Sequence, residues 1–295
     1  MTIRGLCLPT FKNIFKTTNG RGRMTVSNIS DRIRELEASL SDTKYNKATQ
    51  HHFAIVKAQI AKLRQKMETR IASKKGGGGG FDVKKTGDAT VVLVGFPSVG
   101  KSTLLNKLTG ADSKVGAYDF TTLDCKPGML QWKGAHIQIL DVPGIIAGAA
   151  TGRGRGKEVL ATVRSSNMIL LIIDALHPEH YDALLREIYL FNIRVNQRPP
   201  NVILSKNKGG GISVNSTCKL TKITKEMIIT VLREMRYVNT DVILREDVTL
   251  EQFMDVIEGN KVYLPMVKVI SKIDLVDQTK RHELITQLKP DAVVS

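Results

Sequence analysis

Thr90-Val91-Val92-Leu93-Val94-Gly95-Phe96-Pro97-Ser98-Val99-Gly100-Lys101-Ser102 decides the fold. Thr90 to Val94 is a β-branched run suited to a short buried strand. It runs into the spacing G-x-x-x-x-G-K-S at Gly95, Gly100, Lys101 and Ser102, and Ser102 to Leu108 then has helix-forming character. Glycines let a backbone wrap an anion without side-chain clash. The backbone N–H groups and the N-terminus of the following helix then donate to it. In that arrangement Lys101 reaches the β- and γ-phosphates of a nucleotide, and the Ser102 hydroxyl ligates Mg²⁺. Gly95, Phe96, Pro97, Ser98, Val99, Gly100, Lys101, Ser102 and Thr103 are therefore the expected phosphate cradle. A chance glycine turn would not come with both the strand before and the helix after.

Three further segments complete a nucleotide site. Asp141-Val142-Pro143-Gly144 ends the apolar stretch Ala135 to Leu140. An aspartate there holds Mg²⁺ through water, and the glycine N–H can sense the γ-phosphate and start a switch. Between this segment and the cradle lies Phe120-Thr121-Thr122-Leu123-Asp124. A threonine in this interval can add its hydroxyl to Mg²⁺, and two candidates stand side by side. Lys101, Gly144 and one of these two threonines, Thr121 or Thr122, are the residues expected to act in hydrolysis. Downstream of a strand at Met266 to Ile270, Ser271-Lys272-Ile273-Asp274 is the expected base-reading segment. Asp274 can accept from guanine N1–H and the 2-amino group, which adenine lacks, and a buried carboxylate left unpaired against the wrong base is costly. Lys272 can lie over the base plane. Ser271 replaces the usual asparagine, which leaves affinity open. Ser295, after a short apolar strand at Ala292 to Val294, is placed to begin the last base-contacting loop.

Strands alternating with helices imply an α/β fold with a mostly parallel sheet. Residues 88–175 and 261–295 are expected to form it. A structureless loop between them would be too long for a compact domain, so 176–260 is expected to be an inserted small α+β subdomain. Upstream, Ile29, Ile33, Leu36 and Leu40 recur at helical spacing, as do Val56, Ile60, Leu63, Met67 and Ile71. Residues 24–75 thus read as a helical hairpin, either a packing arm or a contact for RNA or a partner. Residues 76–87, with glycines at 76–80, read as a flexible linker. Residues 1–23 carry Arg4, Lys12, Lys16, Arg21 and Arg23 and no acid. They read as an organelle transit peptide or as residues ahead of a true start at Met24, and the second is favoured.

Net charge is +16 over 295 residues, which favours polyanions such as RNA. Cys7, Cys125 and Cys218 make no CxxC and no zinc spacing, so a reducing compartment is expected. His51 and His52 lack further ligands at matching spacing. No apolar run reaches roughly 18 residues, so no membrane span is expected.

These motifs in this order resemble the translation-factor-like GTPases. Gly116-Ala117-Tyr118-Asp119-Phe120-Thr121-Thr122-Leu123 is similar to the first switch of their Obg-like branch. Asp141-Val142-Pro143-Gly144-Ile145-Ile146 followed by Gly152-Arg153-Gly154-Arg155-Gly156, Arg198-Pro199-Pro200-Asn201, and Glu258-Gly259-Asn260-Lys261-Val262-Tyr263 resemble the developmentally regulated GTP-binding protein family. The resemblance covers about residues 24–295. It implies a P-loop GTPase domain with an N-terminal helical hairpin and an inserted α+β subdomain. It also implies a slow GTP-to-GDP switch, Mg²⁺ on Ser102 and Thr122, and a monomer that is cytoplasmic and ribosome-associated. A dedicated stabilising partner protein and stimulation by K⁺ belong to the same expectation. Ser98 stands where some related GTPases place a potassium-binding asparagine. Ile145 stands where Ras-like enzymes carry a water-orienting glutamine, so that route to hydrolysis is closed. The family continues into a small β-rich TGS domain, and this sequence stops at Ser295, before it, so either a truncated gene model or a divergent short form is expected.

Overall fold

The computed structural model describes residues 26–44, 46, 49–74, 86–110, 126–142 and 156–295. Two compact units result, Met1–Lys75 and Gly76–Ser295.

The first unit pairs α1 (Val26–Asp42) with α2 (Gln50–Lys74). Ile29 and Ile33 meet Val56 and Ile60 in its core, with Leu36, Leu40, Leu63 and Met67 partly buried against them. The hydrophobic stripes read from the sequence are thus the packed faces as far as Met67, and the Ile71 side chain lies outside what is described. A local pairing precedes the start of helix α2 at Gln50. The Asn46 side chain accepts from the Thr49 N–H at 2.9 Å, and the Thr49 hydroxyl accepts from the Asn46 N–H at 2.9 Å. This reciprocal pairing satisfies N–H groups ahead of the helix. An exposed Arg64–Glu37 pair at 2.7 Å bridges the helices. Such a pair is worth less than about 1 kcal/mol.

The second unit runs β1 (Ala89–Val94), α3 (Lys101–Thr109), β2 (Lys126–Trp132), β3 (Ala135–Asp141), α4 (Gly156–Ser165), β4 (Met168–Asp174), α5 (His180–Leu190) and β5 (Ile193–Val195). It continues through β6 (Val202–Lys206), β7 (Ile212–Ser216), α6 (Lys225–Glu234), β8 (Thr240–Leu244), α7 (Leu250–Glu258), β9 (Val262–Leu264), β10 (Met266–Ser271), α8 (Gln278–Leu288) and β11 (Ala292–Val293). The main sheet has the order β11-β10-β4-β1-β3-β2, parallel except for the β2–β3 hairpin. Successive residues of β1 serve opposite cores. Val92 and Val94 join β4, α4, α5 and α8, while Val91 and Leu93 join Val99 and Leu105 beside α3. Burial on both faces explains why this strand is continuously apolar.

A three-stranded sheet, β6-β8-β7, lies between β5 and β9 in the chain. Helices α6 and α7 pack on β7 and β6 and bury Ile228, Val231, Leu232, Phe253 and Met254. Thr249 and Gln252 form a capping box at the start of α7. The segment expected as an insertion from residue 176 begins with a different piece. Leu184 and Ile188 of α5, with Ile193, sit in the main core. The two crossing segments pair as β5–β9. There Arg194, which is buried, makes a two-pronged pair with Asp255 of α7 at 2.7 and 2.8 Å and lies 3.7 Å over the Tyr189 ring. Removing one partner of such a pair costs about 3–5 kcal/mol.

Among the described residues no helix is long and apolar enough to cross a membrane. Cys218 is a free thiol, and Cys7 and Cys125 lie outside the described residues.

Candidate nucleotide site

Gly95 directly follows β1 and lies against β4. A Cβ there would approach the Ile172 carbonyl oxygen to 2.7 Å and Val99 Cγ2 to 3.0 Å. The chain can turn away from the sheet only because this residue has no side chain. Gly100, at φ 93°, is the left-handed residue that opens α3 and offers no side-chain cap. The first N–H groups of α3 therefore carry no side-chain acceptor and are placed for an anion. Ser98 also takes a positive φ of 62°, a conformation that costs a non-glycine residue about 1–3 kcal/mol. Pro97, Ser98, Ser102 and Thr103 are exposed around a buried Val99.

Lys101 is buried and curls back over the loop. Its Nζ donates to the carbonyls of Gly95 at 3.2 Å and Phe96 at 2.9 Å. Burial lowers its pKa, and the nearby Asp141 charge opposes that shift. The Ser102 hydroxyl donates to the Asp141 carboxylate at the end of β3. Asp141 and the following Val142 are buried. Two hard oxygen ligands thus converge at the mouth of the loop, a donor set that fits Mg²⁺. Thr121, Thr122, Pro143, Gly144 and Ile145 lie outside the described residues.

The base-reading segment meets the cradle directly. Ser271 ends β10, and its hydroxyl donates to the Val99 carbonyl at 2.8 Å, with the Ile173 carbonyl as a second acceptor at 3.2 Å. The residue in place of the usual asparagine therefore ties the two loops together. Lys272 is left-handed at φ 57°, and its Nζ pairs with Asp174 at 2.7 Å. Asp174 also accepts from the Leu176 N–H at 3.0 Å. Burial pushes the Asp174 carboxyl up, but the Lys272 bond, the Leu176 N–H and the Lys272 and His177 charges outweigh it and hold the pKa below its ordinary value. Asp274 is exposed in a single tight turn, Ile273–Leu275. The Ser295 carbonyl accepts from Lys107 Nζ of α3 at 3.5 Å.

Asp174 is the neighbour that sequence reading missed. Its signal was an acid closing the apolar run of β4. Its use becomes visible only through the β4–β10 register, which sets it opposite Ser271.

Two adjoining family models match the chain. One, described as 50S ribosome-binding GTPase, covers residues 90–207, and one described as the C-terminal region of that domain covers 209–295. An uncharacterized GTP-binding protein of Methanocaldococcus jannaschii is 51% identical over 275 residues, 92% of this chain and 70% of that protein. Developmentally-regulated G-protein 3 of Arabidopsis thaliana is 46% identical, over 84% of this chain and 68% of its own length. Developmentally-regulated GTP-binding protein 2 of Homo sapiens is 43% identical, over 90% of this chain and 73% of its own.

Proposed function

The chain belongs to the developmentally regulated GTP-binding proteins, a GTPase family, and from that premise we propose that it is a slow GTP-hydrolysing switch acting with RNA or the ribosome. The observation that carries this reading is the bond from Ser271 to Val99. It makes the loop proposed to read the base and the loop proposed to hold the phosphates one connected site. Asp274 then selects guanine, Lys272 supports the base, and Lys101 leaves the carbonyls of Gly95 and Phe96 for the β- and γ-phosphates. Ser102 and Thr122 would hold Mg²⁺, with Asp141 acting through water. The ion's chemistry when bound is to neutralise charge that develops on the phosphates. Gly144 would donate its N–H to the γ-phosphate. Ile145 offers no polar atom to orient water, so unaided turnover is slow, and potassium is the proposed stimulant.

The charge distribution supports an RNA-facing hairpin. Residues 1–75 hold 16 of the 44 basic side chains and 5 of the 28 acidic ones, whereas residues 176–260 hold 11 of each. The positive excess therefore lies on the hairpin side of the chain and not in the inserted sheet. A protein partner that stabilises the chain, and residence in the cytoplasm as a monomer, are part of the same proposal.

The test is binding of GTP and ATP side by side, with phosphate release read in potassium and in sodium, with and without ribosomes. Preference for GTP, and release abolished by Lys101→Ala, are expected. Equal ATP binding, or release at background under every condition, would sink the enzymatic reading. The missing carboxamide at Ile145 favours one alternative, a nucleotide-gated binding module with little turnover. Tight GTP binding without hydrolysis, together with ribosome association lost on Lys101→Ala, would select it.

A further inference from the structure

We propose that His177, Glu179 and His180 form a transition-metal site of the zinc class in the segment joining β4 to α5, separate from the Mg²⁺ position proposed at Ser102 and Asp141. One ring nitrogen of each histidine and one Glu179 carboxylate oxygen all lie within 4.8 Å of one another. Two of them, His177 Nδ1 and Glu179 Oε1, are 3.2 Å apart. Ligands of a tetrahedral ion at about 2.1 Å are spaced by about 3.4 Å. Closing the set therefore needs only small rotations of His177 and Glu179, which are exposed and already paired with each other.

A second observation points the same way. His180 Nδ1 is buried and has no hydrogen-bond partner. A buried polar atom left unpaired costs about 1–3 kcal/mol, and an ion bound at that nitrogen would remove the cost. Glu179 at the start of α5 makes no side-chain cap, and its carboxylate accepts from its own N–H and from His177. The carboxylates of Glu179 and Asp182 offset the positive end of the helix that a cation would otherwise face. Two imidazoles with one carboxylate suit zinc-class ions, and three protein ligands leave a fourth position open.

The site adjoins the cradle. The His180 ring stacks on Phe96, centroid to centroid at 4.1 Å and 24°, and His177 stacks on His180 at 5.2 Å. An ion fixing His180 would fix Phe96 and so couple to nucleotide affinity.

The experiment takes the full chain, stripped by chelation and supplied with Mg²⁺ and GDP so that the cradle oxygens are engaged. Zn²⁺ is titrated against a chromophoric chelator, and Co²⁺ is followed by its visible spectrum. One ion per chain is expected, weakened at least about tenfold by His177→Ala and by His180→Ala. His177 is exposed, so its variant tests the site even if the His180 variant folds poorly. The other four histidines, His51, His52, His136 and His282, remain in both variants. Equal Zn²⁺ affinity and Co²⁺ spectra in all three proteins, or no stoichiometric ion in any, would overturn the site. GDP affinity should shift about fivefold with Zn²⁺ in the unmodified chain and not in the His177→Ala variant. Shifts equal in both would overturn the coupling.

Discussion

In the proposed phosphate cradle, Gly95 to Ser102, recognition would fall to the backbone. Gly95 has no room for a Cβ, Gly100 and Ser98 take left-handed angles, and α3 opens with its N–H groups uncapped. In the proposed base loop, Ser271 to Asp274, it would fall to side chains. Ser271 reaches Val99, Lys272 is held by Asp174, and Asp274 stands exposed. A backbone cradle meets any nucleotide's phosphates equally and tolerates little change, because its shape is its chemistry. A side-chain loop can discriminate between bases, and its parts can be weakened in steps.

That contrast breaks or sharpens under substitution. The largest effect is expected from Lys101→Ala. It removes the only ammonium buried in the cradle, and GTP and ATP binding should fall together by about 100-fold or more. A calorimetric titration in which only GTP weakens would make the lysine a base reader and erase the contrast. Gly95→Ala comes next. Its Cβ would press on the Ile172 carbonyl, so thermal unfolding should show a loss of about 1–3 kcal/mol. An unchanged melting temperature would show that the loop can yield.

Asp274→Asn should act on selectivity and leave the phosphates alone. Its amide presents a donor toward guanine's own donors, so GTP affinity should drop about tenfold while XTP, with an acceptor at that position, gains. Equal losses for GTP, XTP and ATP would place Asp274 outside base reading. Ser271→Ala removes the bond between the loops, and GTP affinity should fall about fivefold, in keeping with about 1 kcal/mol for one hydrogen bond. Ser271→Asn, whose amide can also reach a carbonyl, should recover most of it. Failure of that rescue would mean that the hydroxyl's bond does not set the geometry.

The smallest effect concerns pH. Asp174 has a folded pKa below its unfolded value of about 3.9. Its pairing with Lys272 therefore contributes in full above that value and is lost as pH falls through the folded pKa. Asp174→Asn should lower the melting temperature near neutral pH, and the gap should close on acidification. A gap that persists to pH about 2 would assign the loss to packing.

The fold was legible where the signal is local. The β-branched run before Gly95 and the helix formers after Ser102 needed no distant partner, and the stripes of α1 and α2 declared their faces by spacing alone. Helix α5 was not separated from the insertion, because nothing in His180–Leu190 says which sheet its Leu184 and Ile188 will cover. Edge strand β2 was also missed, since Pro127 and Gly128 weaken its pattern and its ladder depends on β3. At the candidate site, the residue types and their spacing pointed to the phosphate, Mg²⁺ and guanine chemistry that is proposed for it.

By itself, then, the sequence determined which chemical groups this protein carries, because glycines before a lysine and a serine are meaningful at short range. Only the tertiary structure decided who holds whom. Ser271 reaches the cradle across 172 positions of chain and Lys272 reaches Asp174 across 98. Those contacts exist because β10, β4 and β1 lie parallel and adjacent, which delivers the loops after them to one edge of the sheet. Strand order is set by burying both faces of the sheet at once, a sum over many residues that no single motif records.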